Sequence, residues 1–311
     1  MVRIGINLRR EGASYESLKR LAQLSETLGF DSLWTFDHLM SSGGVTKEDI
    51  LECLVTMSAL ARDTKRIRLG ALVLCNLFRH PAMLAKMTSA LDVISGGRLD
   101  VGVGIGGPST PPELFAYGLS GYPRRRERIR RLEEAIIILK SMWTLDEATF
   151  EGKYYSVKGA INYPKPVQKP YPPIWIGGEA EDIIELTAMY ADGWNCRNLN
   201  LDVLKAKINL LNEKCVQAGR RPESVQRSWS GVIFTAKSRE ELDRKLASDD
   251  WKKGRQKRGL GPGAIIGTLE ECTEKLRRYG DLGIDLMILS FVGADDETIT
   301  MFADKVVNNL T

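Results

Sequence analysis

The chain has 311 residues, of which 43% are hydrophobic and 27% charged, with a formal net charge of +4. This is the balance of a globular protein with a full core, long enough for one α/β barrel, and it lacks the dense Lys/Arg clustering of a nucleic-acid binder. Cys53, Cys75, Cys196, Cys215 and Cys272 form no CxxC or Cys/His cluster, and no apolar run reaches ~18 residues, which argues against a zinc site, a disulfide framework and a membrane span.

In chain order, strand-like and helix-like segments alternate. Residues 2–8 are rich in β-branched side chains and read as a buried strand. Leu18, Leu21, Leu24 and Leu28 then follow helical spacing up to Gly29, a C-cap. Residues 31–37 are a second strand and 49–61 a second helix. Residues 66–75 are one long apolar strand, followed by a helix over 81–94 that Pro81 opens. Residues 98–106 are the fourth strand. The rhythm breaks over 106–122, where Pro108, Pro111 and Pro112 predict an irregular excursion across the barrel mouth. A helix over 126–143 and a hairpin over 149–163 follow.

The alternation resumes with strands at 173–177, 193–197, 227–236 and 285–291. Their helices are at 180–191, 201–218, 239–247 and 295–309; 254–266 is an irregular basic loop and 269–279 a further helix. Eight strands, each followed by a helix, with apolar runs suited to burial on both faces, predict a single-domain (β/α)₈ TIM barrel over 1–311. An open doubly wound sheet is the alternative.

In such a barrel the working residues lie at strand C-termini. The second strand ends in Asp37-His38, and the chain has two histidines. His38 is suited to exchanging a proton near neutral pH, and Asp37 to fixing its tautomer or bonding a cofactor ring. The plainer alternative is a packing histidine beside a capping aspartate. His80, before Pro81, reads as a helix cap. Gly102, Gly104, Gly106 and Gly107 superficially resemble a dinucleotide fingerprint, but no helix follows at once, so a Rossmann site is rejected. They either let a flat ligand lie against the strand or fill a tapering interior. Gly177 and Gly178 precede a helix and suit a phosphate, or only a tight turn. Trp194 and Asn195 either line a ring system or, for Trp194, belong to the core. A glycosidase would need paired carboxylates that these strand ends lack.

Three blocks carry a family resemblance: GFDSLWTFDH at 29–38, the run RIRLGALVL to RLDVGVGIG at 66–106, and PVQKPYPPIWIGG with YADGWN at 166–195. With the tail from Gly267, they resemble the bacterial-luciferase-like superfamily, most closely its F420-dependent, methylene-tetrahydromethanopterin-reductase-like branch. The resemblance implies a (β/α)₈ barrel that binds F420, or alternatively FMN, in a cytoplasmic homodimer acting on a small-molecule substrate. F420 implies hydride transfer at the deazaflavin C5; FMN implies a monooxygenase using reduced flavin and O₂. It implies catalytic roles for His38 and Asp37, a non-prolyl cis peptide at Leu72–Val73 behind the ring, ring contacts at Gly106 and Gly107, and a cofactor-phosphate loop at Gly177 and Gly178. Two departures bear on substrate: Gly107 stands where the sugar-phosphate dehydrogenases of the group carry Glu, and Asn7 where the pterin reductases do. Glu113, in the following loop, is a candidate replacement acid. The segment Lys252, Lys253, Arg255, Lys257 and Arg258 reads either as a solvated loop or as a landing strip for the acidic tail of F420.

Overall fold

The computed structural model describes residues 2–41, 47–119, 121–248 and 261–307. The basic segment 252–258 therefore lies outside the described residues. The strands are β1 (Arg3–Asn7), β2 (Ser32–Thr35), β3 (Arg68–Ala71), β4 (Leu74–Cys75), β5 (Leu99–Gly104), β6 (Glu147–Glu151), β7 (Ser156–Ile161), β8 (Ile174–Gly177), β9 (Gly193–Arg197), β10 (Gln226–Ala236), β11 (Ile265–Thr268) and β12 (Leu286–Phe291). The helices are α1 (Tyr15–Thr27), α2 (Cys53–Asp63), α3 (Pro81–Ser95), α4 (Thr110–Ala116), α5 (Arg125–Thr144), α6 (Glu181–Tyr190), α7 (Leu201–Gln217), α8 (Arg239–Ala247), α9 (Leu269–Asp281) and α10 (Asp296–Phe302).

The sheet closes on itself. β1 lies between β12 and β2, and the order continues through β3 and β4, β5, β8 and β9. β10 then pairs in parallel with both β9 and β12, which completes an eight-position parallel barrel. Helices surround it, so most strand residues are buried on both faces, which accounts for their nearly unbroken apolar runs.

The barrel interior is plugged below the mouth. Trp34 and Trp175 meet edge to face at 5.7 Å and pack with Leu286 and Ile288, and Leu72 lies against this cluster. Glycines on neighbouring strands make room for them. A Cβ at Gly70 would lie 2.3 Å from the Trp34 indole, and one at Gly193 would lie 2.2 Å from Trp175. Both indole N–H groups are bonded inside the barrel, to Ser32 Oγ at 2.9 Å and to Asp100 Oδ1 at 3.1 Å.

The larger differences from the sequence reading have local causes. α2 begins at Cys53 rather than at residue 49, because the Glu52 carboxylate takes the cap position and accepts from Val55 N at 2.7 Å. The strand predicted over 66–75 is broken into β3 and β4 by a cis peptide at Leu72–Val73. The proline-rich excursion contains α4, with Pro111 and Pro112 in its first turn, where their missing N–H groups leave no helical bond unmade. β11 starts at the end of the segment read as irregular and pairs with the end of β10 outside the barrel circuit. Among the described residues, no helix is long and apolar enough to cross a membrane.

Candidate active site at the barrel mouth

Asp37 follows β2 and is 4% exposed. Its carboxylate accepts from Arg79 Nη1 at 2.7 Å and Nη2 at 2.9 Å, and from the Cys75 amide at 2.9 Å. Arg79 also bonds Glu52, so one guanidinium ties together the end of β2, the loop after β4 and the start of α2. Burial pushes the Asp37 carboxyl up, against the Arg79 guanidinium and the Cys75 amide. Burial also opposes the charge on Arg79, but its bonds to Asp37 and Glu52 outweigh that and raise its pKa, so the guanidinium stays charged. Asp37 was expected to set the His38 tautomer or to bond a cofactor ring. Its oxygens are instead committed to Arg79 and Cys75, and its place is in the scaffold behind His38.

The partner of His38 is Glu113. The imidazole Nδ1 lies 2.8 Å from Glu113 Oε1, and Glu113 Oε2 accepts the Leu39 amide at 3.3 Å. Glu113 is fully buried on α4, whereas the His38 side chain is 38% exposed. A carboxylate accepting at Nδ1 places the ring proton there and leaves Nε2 as the basic nitrogen. α4 is held in turn by Thr110, whose Oγ1 accepts the Gly107 amide at 2.9 Å, and by Tyr117, whose hydroxyl donates to Leu39 O at 3.2 Å.

The glycines divide by what a side chain would meet. A Cβ at Gly104 would lie 2.5 Å from Val73 Cγ2, and one at Gly177 2.9 Å from Val73 Cγ1. At Gly102 it would lie 1.9 Å from the Ala71 carbonyl oxygen. These three positions accommodate the chain's own turn between β3 and β4 rather than a ligand. Gly106 has φ +78°, a left-handed turn closed against Thr110, while a Cβ at Gly107 would have nothing within 4 Å. Gly107 is thus the position of that run that opens onto space.

Two further expectations change. The Gly178 amide donates to Asn195 O at 3.0 Å, so it has no proton to offer a phosphate. Trp194 is fully buried in the main core, and its indole N–H donates to Gly178 O at 2.8 Å. It anchors the Gly177–Gly178 turn from within the core and does not line the mouth. The turn leads into α6, whose cap residue Ala180 supplies no side-chain bond. His80 caps α3 as read, accepting from Ala82 N at 3.2 Å.

At the end of β1, Asn7 Nδ2 donates to Ser290 Oγ at 2.9 Å, and its buried Oδ1 has no partner among the described residues. An unpaired acceptor, an open glycine and an accessible imidazole therefore occur together at strand C-termini. These groups, with an acceptor rather than a donor at Asn7, fit a flat heteroaromatic ring carrying its own N–H groups. Among the described residues, no group of His, Cys, Asp and Glu is arranged to hold a metal ion. Sequence reading did not single out Arg79, and it named Glu113 only as a replacement acid. Both lie far along the chain from Asp37 and His38, and only the fold shows which carboxylate meets which base.

A parallel barrel with a carboxylate-held histidine at its C-terminal rim defines an enzyme. The chain belongs to the luciferase-like monooxygenase family, whose model matches residues 1–286. It is 28% identical to an F420-dependent glucose-6-phosphate dehydrogenase of Microbacterium testaceum, over 99% of this chain and 97% of that protein. An F420-dependent secondary alcohol dehydrogenase, solved with an F420–acetone adduct, superposes with a TM-score of 0.83 at 21% identity over 98% of each chain. The coenzyme F420-dependent tetrahydromethanopterin reductase of Methanopyrus kandleri superposes with a TM-score of 0.81 at 17% identity, over 100% of this chain and 99% of that one.

Proposed function

We propose that this protein is an F420-dependent oxidoreductase that moves a hydride between the deazaflavin and a small alcohol or carbonyl compound. The observation that carries the reading is the His38–Glu113 pair at the mouth. Interconverting an alcohol and a carbonyl moves a hydride and a proton together. When bound, the deazaflavin supplies the hydride acceptor or donor at its C5. The proton falls to the protein, and His38 Nε2, left basic by the bond at Nδ1, takes it from a hydroxyl in oxidation and returns it in reduction. Glu113 steadies the imidazolium formed in oxidation. Asn7 Oδ1 offers an acceptor to a ring N–H, and Gly107 leaves room for the ring face. The F420-dependent relative, similar over nearly the whole chain, supports the choice of F420 over FMN.

Fluorescence titration of the purified protein with F420 and with FMN tests the cofactor, and turnover of His38→Ala with candidate alcohols tests the role. The expected result is tight F420 binding, weak FMN binding, and a kcat about 10²–10⁴ lower in a variant that still binds F420. Preference for FMN would move the protein to the monooxygenase chemistry of its family. Full turnover by a folded His38→Ala would remove the histidine from the reaction.

A further inference from the structure

Arg10, in the loop after β1, is fully buried and takes no part in the site described so far. A buried guanidinium ordinarily answers a carboxylate, as Arg79 answers Asp37. Arg10 makes no ion pair among the described residues, and its buried Nη1 has no partner there. Burying an unpaired cation is costly, and an apolar side chain of the same length would fill the space without that cost. What sets Arg10 apart is what its other two nitrogens hold.

Both hold the end of β2. The Arg10 Nε donates to Thr35 Oγ1 at 2.7 Å, and Nη2 donates to the Phe36 carbonyl. Backbone pairing supports β2 as far as this point: Trp34 O accepts the Leu8 amide at 2.7 Å, and Thr35 O the Leu72 amide at 2.7 Å. Past it, Arg10 takes the Phe36 carbonyl and Arg79 the Asp37 carboxylate, one arginine from the loop after β1 and the other from the loop after β4. The Arg10 guanidinium also lies over the Phe36 ring, 4.9 Å from its centre. That ring in turn lies 5.5 Å from the His38 imidazole, tilted by 52°. Glu113 holds the imidazole at a single point, Nδ1, about which the ring is free to swing unless something lies against it. The Phe36 ring is what lies against it.

We propose that Arg10 is a positioning residue for His38, acting through Phe36: it fixes the Phe36 carbonyl and ring, and the ring fixes the imidazole with Nε2 left for the substrate. The proposal rests on the reading of His38 as the proton-transfer group. Arg10 is fully buried, so it touches neither cofactor nor substrate and acts on turnover without acting on their affinity.

The first readout needs no ligand. The chain has two histidines, so the imidazole proton resonances of His38 and His80 are assigned by single replacement. In Arg10→Met the His38 resonances are expected to move toward those of free histidine as the ring leaves Phe36. Those of His80, which packs edge-on against Tyr155, stay in place and report an intact fold. Turnover is then measured with F420 and isopropanol. In Arg10→Met kcat is expected to fall about tenfold or more, with F420 affinity and KM within about twofold of the parent. In a His38→Ala background the same substitution should cost less than about twofold, because the ring it positions is gone. A merely structural loss would be the same in both backgrounds. If Arg10→Met does not fold, Phe36→Leu takes its place with the same expectations, since it removes the ring and keeps the Phe36 carbonyl for Arg10. Unmoved His38 resonances, or an equal loss of kcat with and without His38, overturn the proposal. Full turnover by His38→Ala, or none of isopropanol by the parent, strikes at the proposed function instead, and the resonances alone then decide whether Arg10 holds the ring.

Discussion

A glutamine at position 113 keeps the shape of the glutamate and changes what it presents to His38. The Leu39 amide needs an acceptor at the Oε2 position, so the amide oxygen goes there and the NH₂ group faces Nδ1. A donor at Nδ1 drives the ring proton onto Nε2 and abolishes the base. Glu113→Gln is therefore expected to lower kcat about 10²-fold or more while leaving F420 affinity unchanged, with the loss confined to the steps that move a proton. An unchanged kcat in a folded variant would show that the tautomer does not depend on Glu113. At this scale the sequence was legible where a residue type is rare: His38 stands out because the chain has two histidines. It was misleading where a residue type is common in both roles. Trp194 lies beside the Gly177–Gly178 turn, but its side chain points into the core, and neighbouring residues on a strand face opposite sides. Asp37 was recognised for its position, but its partner Arg79 lies 42 residues away and only the closed barrel brings them together.

The elements were more legible than the contacts, because a barrel strand buried on both faces writes itself as an apolar run regardless of what it touches. β9 and α8 fall where the alternation placed them. The failures occurred where local chemistry overrides the pattern. Leu72 and Val73 are as apolar as their neighbours, so nothing in hydropathy marks the break between β3 and β4. The glycines of β5 are its trace. They are spaced to admit Val73 and the Ala71 carbonyl, and this makes a prediction about the element. A methyl group at Gly102 would lie 1.9 Å from a backbone oxygen, which has no rotamer to escape into, whereas one at Gly107 meets nothing within 4 Å. Gly102→Ala is expected to destabilise by about 1–3 kcal/mol or more, as overpacking does. Gly107→Ala should stay within about 0.5 kcal/mol of the parent, as an uncrowded substitution does. Denaturant midpoints of the two variants compare them directly. Equal losses would mean that β5 does not press on the turn between β3 and β4.

At the scale of the whole molecule the barrel separates its two ends. The mouth carries unpaired polar atoms and open space, while the opposite end is closed by side-chain bonds between consecutive units. Glu26 in α1 illustrates the closed end. Its Oε1 accepts the amides of Lys65, Arg66 and Ile67 at 2.8, 2.5 and 2.9 Å, locking α1 to the entry of β3. Burial raises the Glu26 carboxyl, but the three amides outweigh it and hold its pKa below the ordinary 4.5. A depressed carboxyl pKa means that the unfolded chain binds the proton more tightly than the folded one. The stability contributed by Glu26 is therefore complete above about pH 4.5 and drains away as pH falls through the folded-state value. Two of the three amides belong to exposed residues that water can reach after substitution, so the loss is at the low end for bonds to a charged group. Glu26→Ala should cost about 1 kcal/mol at neutral pH. The gap in melting temperature between parent and variant should be constant from pH 8 down to about 5.5 and then close as the solution is acidified. Turnover should be untouched, because Glu26 lies at the end of the barrel away from His38. A gap that persists unchanged well below pH 4 would mean that the bonds act through shape rather than charge, and would remove Glu26 from the acid limb of the stability profile.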